Sequence, residues 1–132
     1  METRLGTNMN SLRLSPLGHT WILDVDGTLL KHNGYLIDGV DSFLPGAEEF
    51  LRNIPEGDTV ILLTSRKEPY RAMTEAFFTE RGIRFNYLIT EAPYGERILV
   101  NDSKPTGLHT SIGIELKRDE GIPFTVEIDP NL

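Results

Sequence analysis

Apolar residues follow two periods in this chain. From Thr20 a nearly continuous run, Trp21-Ile22-Leu23 and then Val25, predicts a first strand over 20–25 that is buried on both faces. Ala47, Phe50, Leu51 and Ile54 then recur at helical spacing, with Pro45 as the expected first helical residue, Glu48 and Glu49 in the first turn and Pro55 as the stop. Thr59 to Leu63 reads as a second buried strand. Pro69 opens a second helix whose Tyr70, Met73 and Phe77 share one stripe, and Arg81-Gly82 ends it. Phe85 to Ile89, Arg97 to Val100 and Thr110 to Leu116 read as further strands, and Phe124 to Ile128 as a sixth. Residues 1–18 show no steady period and carry Gly6, Asn8, Asn10, Ser11, Ser15, Pro16 and Gly18, which predicts a loose N-terminal arm, although Leu5, Leu12, Leu14 and Leu17 could dock on the core. Strands alternating with helices imply an α/β fold with right-handed crossovers and a mostly parallel sheet.

Composition narrows the class. A length of 132 residues suits one domain, here 19–132, and 39% hydrophobic with 25% charged residues is ordinary for a soluble globule. Twenty acidic against thirteen basic residues, net charge -7, argue against nucleic-acid or anionic-membrane partners and favour a small substrate or an anion handled with a metal. The absence of cysteine removes disulfides, thiolate nucleophiles and zinc-thiolate sites. With no membrane-length apolar run and no signal-peptide core, the expected location is cytoplasmic.

The chemistry gathers at strand ends. In open parallel sheets, ligands bind outside the carboxyl ends of the strands, and on this reading Asp24 and Asp26 end the first strand, Thr64 the second, and Asn101 and Asp102 the fourth. Asp24 and Asp26 stand two apart, so in extended chain they emerge on one face. Paired carboxylates repel, and a cation, a proton or a charged substrate must relieve them. Read singly, each feature has an ordinary explanation: a solvated acidic turn for the pair, a turn residue for Asp102, and for Thr64 a helix start with Ser65 and Glu68 as its capping box. Their convergence favours a site.

Asp24-Val-Asp26-Gly27-Thr28, Ile61-Leu-Leu-Thr64 and Ile98-Leu-Val-Asn101-Asp102 resemble, in order and spacing, the first, second and fourth motifs of the haloacid dehalogenase (HAD) superfamily of phosphotransferases. The resemblance covers roughly residues 20 to 105. It implies a Rossmann-like three-layer sandwich of the minimal type, with no cap domain and a small flap hairpin after the first strand. It further implies a magnesium-dependent phosphomonoesterase in which Asp24 is the nucleophile and forms an aspartyl phosphate, while Asp24, the Asp26 backbone carbonyl and Asp102 hold Mg2+. Asp26 would protonate the leaving alkoxide and then take a proton from water, so it must be protonated when substrate arrives, which the adjacent carboxylate favours. Thr64 would bind the transferring phosphoryl group. Gly27, Thr28, Ser65, Arg66 and His32 are the expected substrate contacts; Arg66 could instead pair with Glu68 or Asp26.

The third motif, a basic residue ahead of the fourth strand, is the weak point. Arg97 lies roughly 13–16 Å short of the chemistry if the strand is extended. Lys104 and Lys67 sit at the right edge, Lys104 preferred, although either could be a solvated surface charge. The second acid that many relatives carry after the fourth motif is replaced by Pro105, Thr106 and Gly107. His19, His32 and His109 have no ligand spacing, but Lys31-His32-Asn-Gly-Tyr35 reads as the tip of the flap and could touch substrate. The segment Leu29 to Leu44 is too short for a lid with its own core, so the site would be open, or covered by another subunit of a homo-oligomer. The expected substrate is a small phosphorylated molecule, a sugar phosphate or a nucleotide-related compound. The competing reading is a catalytically weak or inactive HAD-like binding or regulatory domain. A two-component receiver domain is disfavoured, because no Asp ends an inner third strand.

Overall fold

The computed structural model describes residues 11–132, which gather into two compact units. One contains 11–17, Gly95–Glu115 and Phe124–Leu132; the other contains Gly18–Tyr94 and Leu116–Pro123. The chain passes from one unit to the other several times. The fold is α/β, with mostly parallel strands in open sheets. Among the described residues no helix is long and apolar enough to cross a membrane.

In the larger unit, strands β2 (Thr20–Asp24), β3 (Thr59–Leu63) and β4 (Tyr87–Ile89) form a parallel sheet in that order. Register sets Ile22 beside Ile61 and Tyr87, and Asp24 beside Leu63 and Ile89. Leu62 and Leu88 are buried on one face, whereas Ile22, Tyr87 and Ile89 on the other are exposed. The expectation that the first strand is buried on both faces therefore fails. β2 is an edge strand of its sheet, and an apolar run permits burial without supplying the cover.

Val25, Leu29, Leu30, Ala47, Phe50, Leu51, Phe77 and Phe78 are buried in the same unit. Helix α2 (Ala47–Arg52) starts after Gly46, whose φ of 76° puts Pro45 outside the helix rather than at its first position. A 3-10 turn (Glu68–Tyr70) leads into α3 (Arg71–Glu80). The buried stripe of α3 is Thr74, Phe77 and Phe78, while Tyr70 and Met73 are exposed. Phe77 and Phe78 both bury because Phe43 meets each of them edge-on, at 5.0 and 6.1 Å between ring centroids. Gly82, at φ 70°, ends the helix as expected.

The segment expected to be a flap hairpin is paired only at its base, where Lys31 N–H donates to Ser42 and Leu44 N–H to Leu29. Its tip is a helical turn, α1 (Gly34–Ile37), entered through Asn33 at φ 57°. Asn tolerates that left-handed conformation better than most residues.

In the smaller unit, β1 (Ser11–Leu14) pairs in parallel with β5 (Thr125–Ile128). Ser11 to Leu14 is thus a strand and not loose arm, with Leu12 and Leu14 buried and Leu17 exposed. The arm before residue 11, Leu5 included, lies outside the described residues. The strands expected at Arg97 to Val100 and Thr110 to Leu116 do not form; Ile98 and Val100 are 83% and 89% exposed. A short β-prone run becomes a strand only beside an edge that can accept its hydrogen bonds.

Candidate functional site

The end of β2 builds the site. Val25 N–H still donates to Leu63, but Leu29 and Leu30 N–H both turn back to the Val25 carbonyl at 3.0 Å, and Gly27 takes φ 86°. The named strand ends at Asp24 and the chain turns at Gly27, and Asp24 and Asp26 have different partners. Thr28 Oγ1 donates to Asp24 Oδ2 at 2.9 Å. Thr64, fully buried just past β3, donates to Asp26 Oδ2 at 2.8 Å and accepts Arg66 N–H.

Arg66 relieves the charge of Asp26. Its Nε and Nη2 donate to Asp26 at 3.1 and 2.9 Å, while Nη1 and Nη2 donate to Asp41 at 3.0 and 2.8 Å. Nη1 also donates to Thr74 Oγ1, and the guanidinium lies 4.0 Å from the Tyr35 ring centroid. Burial opposes the charge of Arg66, yet the bonds to Asp41 and Asp26 hold its pKa above the ordinary arginine value. The same burial raises the Tyr35 hydroxyl, with Arg66 acting against it. Of the alternatives open to Arg66, the ion pair with Asp26 is realised, Glu68 is not its partner, and at 4% exposure the side chain has no room to grip a substrate.

Asp24, Asp26, Gly27 and Thr28, with Leu116 and Arg118, line a hollow of about 270 Å³. Across it runs a strap, Leu116 to Pro123, belonging to the same unit. Asp119 N–H donates to the Gly27 carbonyl at 2.8 Å, and Asp119 Oδ1 accepts His32 N–H at 2.8 Å. Farther along, Ile122 N–H donates to the Pro45 carbonyl at 2.9 Å. A larger hollow, about 490 Å³, lies beside α2 between Phe43 and Asn53, away from the paired acids.

The other expected site residues divide between the units. Ser65 is half-buried and Lys67 exposed in the larger unit. The Ser65–Glu68 capping box does not form, since no side chain caps the turn and Glu68 bonds Arg71 and Thr90 instead. His32 enters through its backbone, while its ring Nδ1 is buried without a hydrogen-bond partner among the described residues. Asn101, Asp102 and Lys104 belong to the smaller unit and are exposed. His19, expected as a surface or cap residue, holds Asp58 at the opposite end of β2.

Asp24 and Asp26 offer only oxygen donors, the kind magnesium takes, and that ion is often held by one or two carboxylates together with substrate phosphate. Among the described residues no three His, Asp or Glu side chains group closely enough to form a fuller cage. Asp41, Arg118 and Asp119 were missed by the sequence reading. Asp41 has no motif around it, and Arg118-Asp119-Glu120-Gly121 reads as a charged turn. Compared with family models, curated proteins and solved structures, the chain matches none.

Proposed function

We propose that this protein is a magnesium-dependent phosphomonoesterase built on a Rossmann-like, capless HAD-type scaffold, with Asp24 as nucleophile. The observation that carries this reading is the placement of Asp24 and Asp26 at the carboxyl end of a parallel sheet, lining one hollow, each with a threonine hydroxyl on its carboxylate. Asp24 and the Asp26 carbonyl would hold Mg2+, which screens the repulsion between carboxylate and phosphate when bound. A carboxylate oxygen of Asp24 forms a bond to phosphorus as the ester P–O bond breaks, and the departing alkoxide takes a proton from Asp26. Water then attacks the acyl phosphate, Asp26 recovers a proton, inorganic phosphate leaves and the Asp24 carboxylate is restored. Thr28 orients Asp24 through its hydroxyl bond.

Arg66 sets a condition on this sequence. With Thr64 and Arg66 donating to it, Asp26 is an acceptor, so it becomes an acid only when these bonds loosen and a proton replaces them. The same contact favours the second reading, a binding or regulatory domain that does not turn over. One assay decides between them. Phosphate release from an aryl phosphate should require magnesium, vanish in Asp24→Asn and fall by roughly 10²–10⁴ in Asp26→Asn. Folded protein without activity on a broad ester panel at saturating magnesium would leave the binding-domain reading.

A further inference from the structure

We infer that Arg118, carried on the strap, is the phosphate-binding cation of the hollow and that Asp119 positions it; this rests on the phosphatase reading of the same site. An anionic nucleophile facing an anionic ester needs positive charge from the protein beside any metal. In the larger unit Arg66 cannot supply it, because its donors are spent on Asp26, Asp41 and Thr74 inside the core. Lys67, on the approach to the 3-10 turn, does not line the hollow. Arg118 does, together with Asp24 and Thr28.

Its seat is built by neighbouring residues. A Cβ at residue 27 would lie 3.0 Å from Arg118 Cγ and 3.7 Å from its Nε, so the missing side chain of Gly27 makes the space in which the arginine stem rests. Asp119, next in the chain, ties the strap to both flanks of that loop, through Gly27 O and His32 N–H. Its own φ is 64°, a conformation Asp and Asn tolerate. Among the described residues Arg118 forms no salt bridge, so no carboxylate neutralises it there. A planar guanidinium can hold two oxygens of one phosphoryl group, which suits a terminal phosphate monoester better than a point charge would.

The test uses the full chain with inorganic phosphate as probe, by calorimetry, alongside aryl phosphate turnover. Arg118→Ala should weaken phosphate binding roughly 10- to 100-fold with an unchanged thermal midpoint, and Arg118→Lys should recover part of the loss. Asp119→Ala should weaken it as well, and Asp119→Asn should restore it by keeping the acceptor oxygen. A wild-type chain that hydrolyses the ester while Arg118→Ala binds phosphate equally well overturns the assignment and leaves the phosphatase reading intact. A chain without turnover whose phosphate binding still depends on Arg118 supports the assignment and rejects that reading. If the wild-type chain binds no phosphate at all, the assignment is wrong.

Discussion

A single buried guanidinium decides the electrostatics of the site. Arg66 joins Asp26 at the rim to Asp41 in the interior, both Asp41 and Arg66 having side chains only 2% exposed. Removing one partner of such a buried pair typically costs about 3–5 kcal/mol, because the remaining charge stays desolvated, whereas replacing both with apolar groups is often neutral. Arg66→Met should therefore lose about 3–5 kcal/mol in urea unfolding, and Arg66→Met with Asp41→Leu should recover much of it. A loss below about 1 kcal/mol in the single variant would show that the pair is not buried in solution. The sequence displayed Arg66 beside Thr64 and allowed its pairing with Asp26. Asp41, twenty-five positions away from Arg66, had nothing local to mark it.

Two elements owe their position to contacts distant in sequence. The strap crosses the entry to α2 at Gly121 (φ 89°) and Gly46 (φ 76°), where a Cβ on Gly121 would run into the Pro45 carbonyl and one on Gly46 would come within 2.6 Å of the Ile122 carbonyl oxygen. Gly121→Ala should cost roughly 1–3 kcal/mol and loosen the strap, which urea unfolding and hydrogen exchange at Asp119 and Ile122 would register. Wild-type exchange in that variant would show that the strap is held elsewhere. At the far end of the sheet, Asp58 accepts hydrogen bonds from Trp21 Nε1 and from His19, both at 2.9 Å, and Thr59 N–H reaches the His19 carbonyl. Burial would raise the Asp58 pKa, but the Trp21 and His19 bonds outweigh it and hold it below its ordinary value of 3.8. The sign follows: unfolded Asp58 binds protons more readily, so its stabilisation is complete above about pH 4 and is lost as pH falls through the lower folded value. Acid titration followed by Trp21 fluorescence should show this loss, and Asp58→Asn should flatten it. An Asp58→Asn profile that keeps the wild-type slope below pH 4 would exclude the pin.

At the scale of the whole molecule, the chain distributes itself over two units in an order that its own pattern does not announce. Ile98, Leu99 and Val100 have strand-like identities and stand exposed outside any strand, whereas Val60 and Leu62, of the same character, are buried in β3. Hydrogen exchange should consequently be fast at 98–100 and slowest across β3. Slow exchange at 98–100 would mean that these residues pair as their composition suggests.

The sequence by itself determined β3, α2 and α3 within a few residues, the parallel α/β class, and the Asp24, Asp26 and Thr64 cluster. Each depends on periodicity, turn glycines or a strand end, and these act over a few neighbouring positions. Only the tertiary structure decided which face of β2 is covered, that Arg66 bridges Asp26 and Asp41, that α1 replaces a hairpin tip, and that Arg118 lies over Gly27. Those outcomes depend on desolvation and on donors and acceptors brought together from distant positions, and neither quantity exists until the chain has packed.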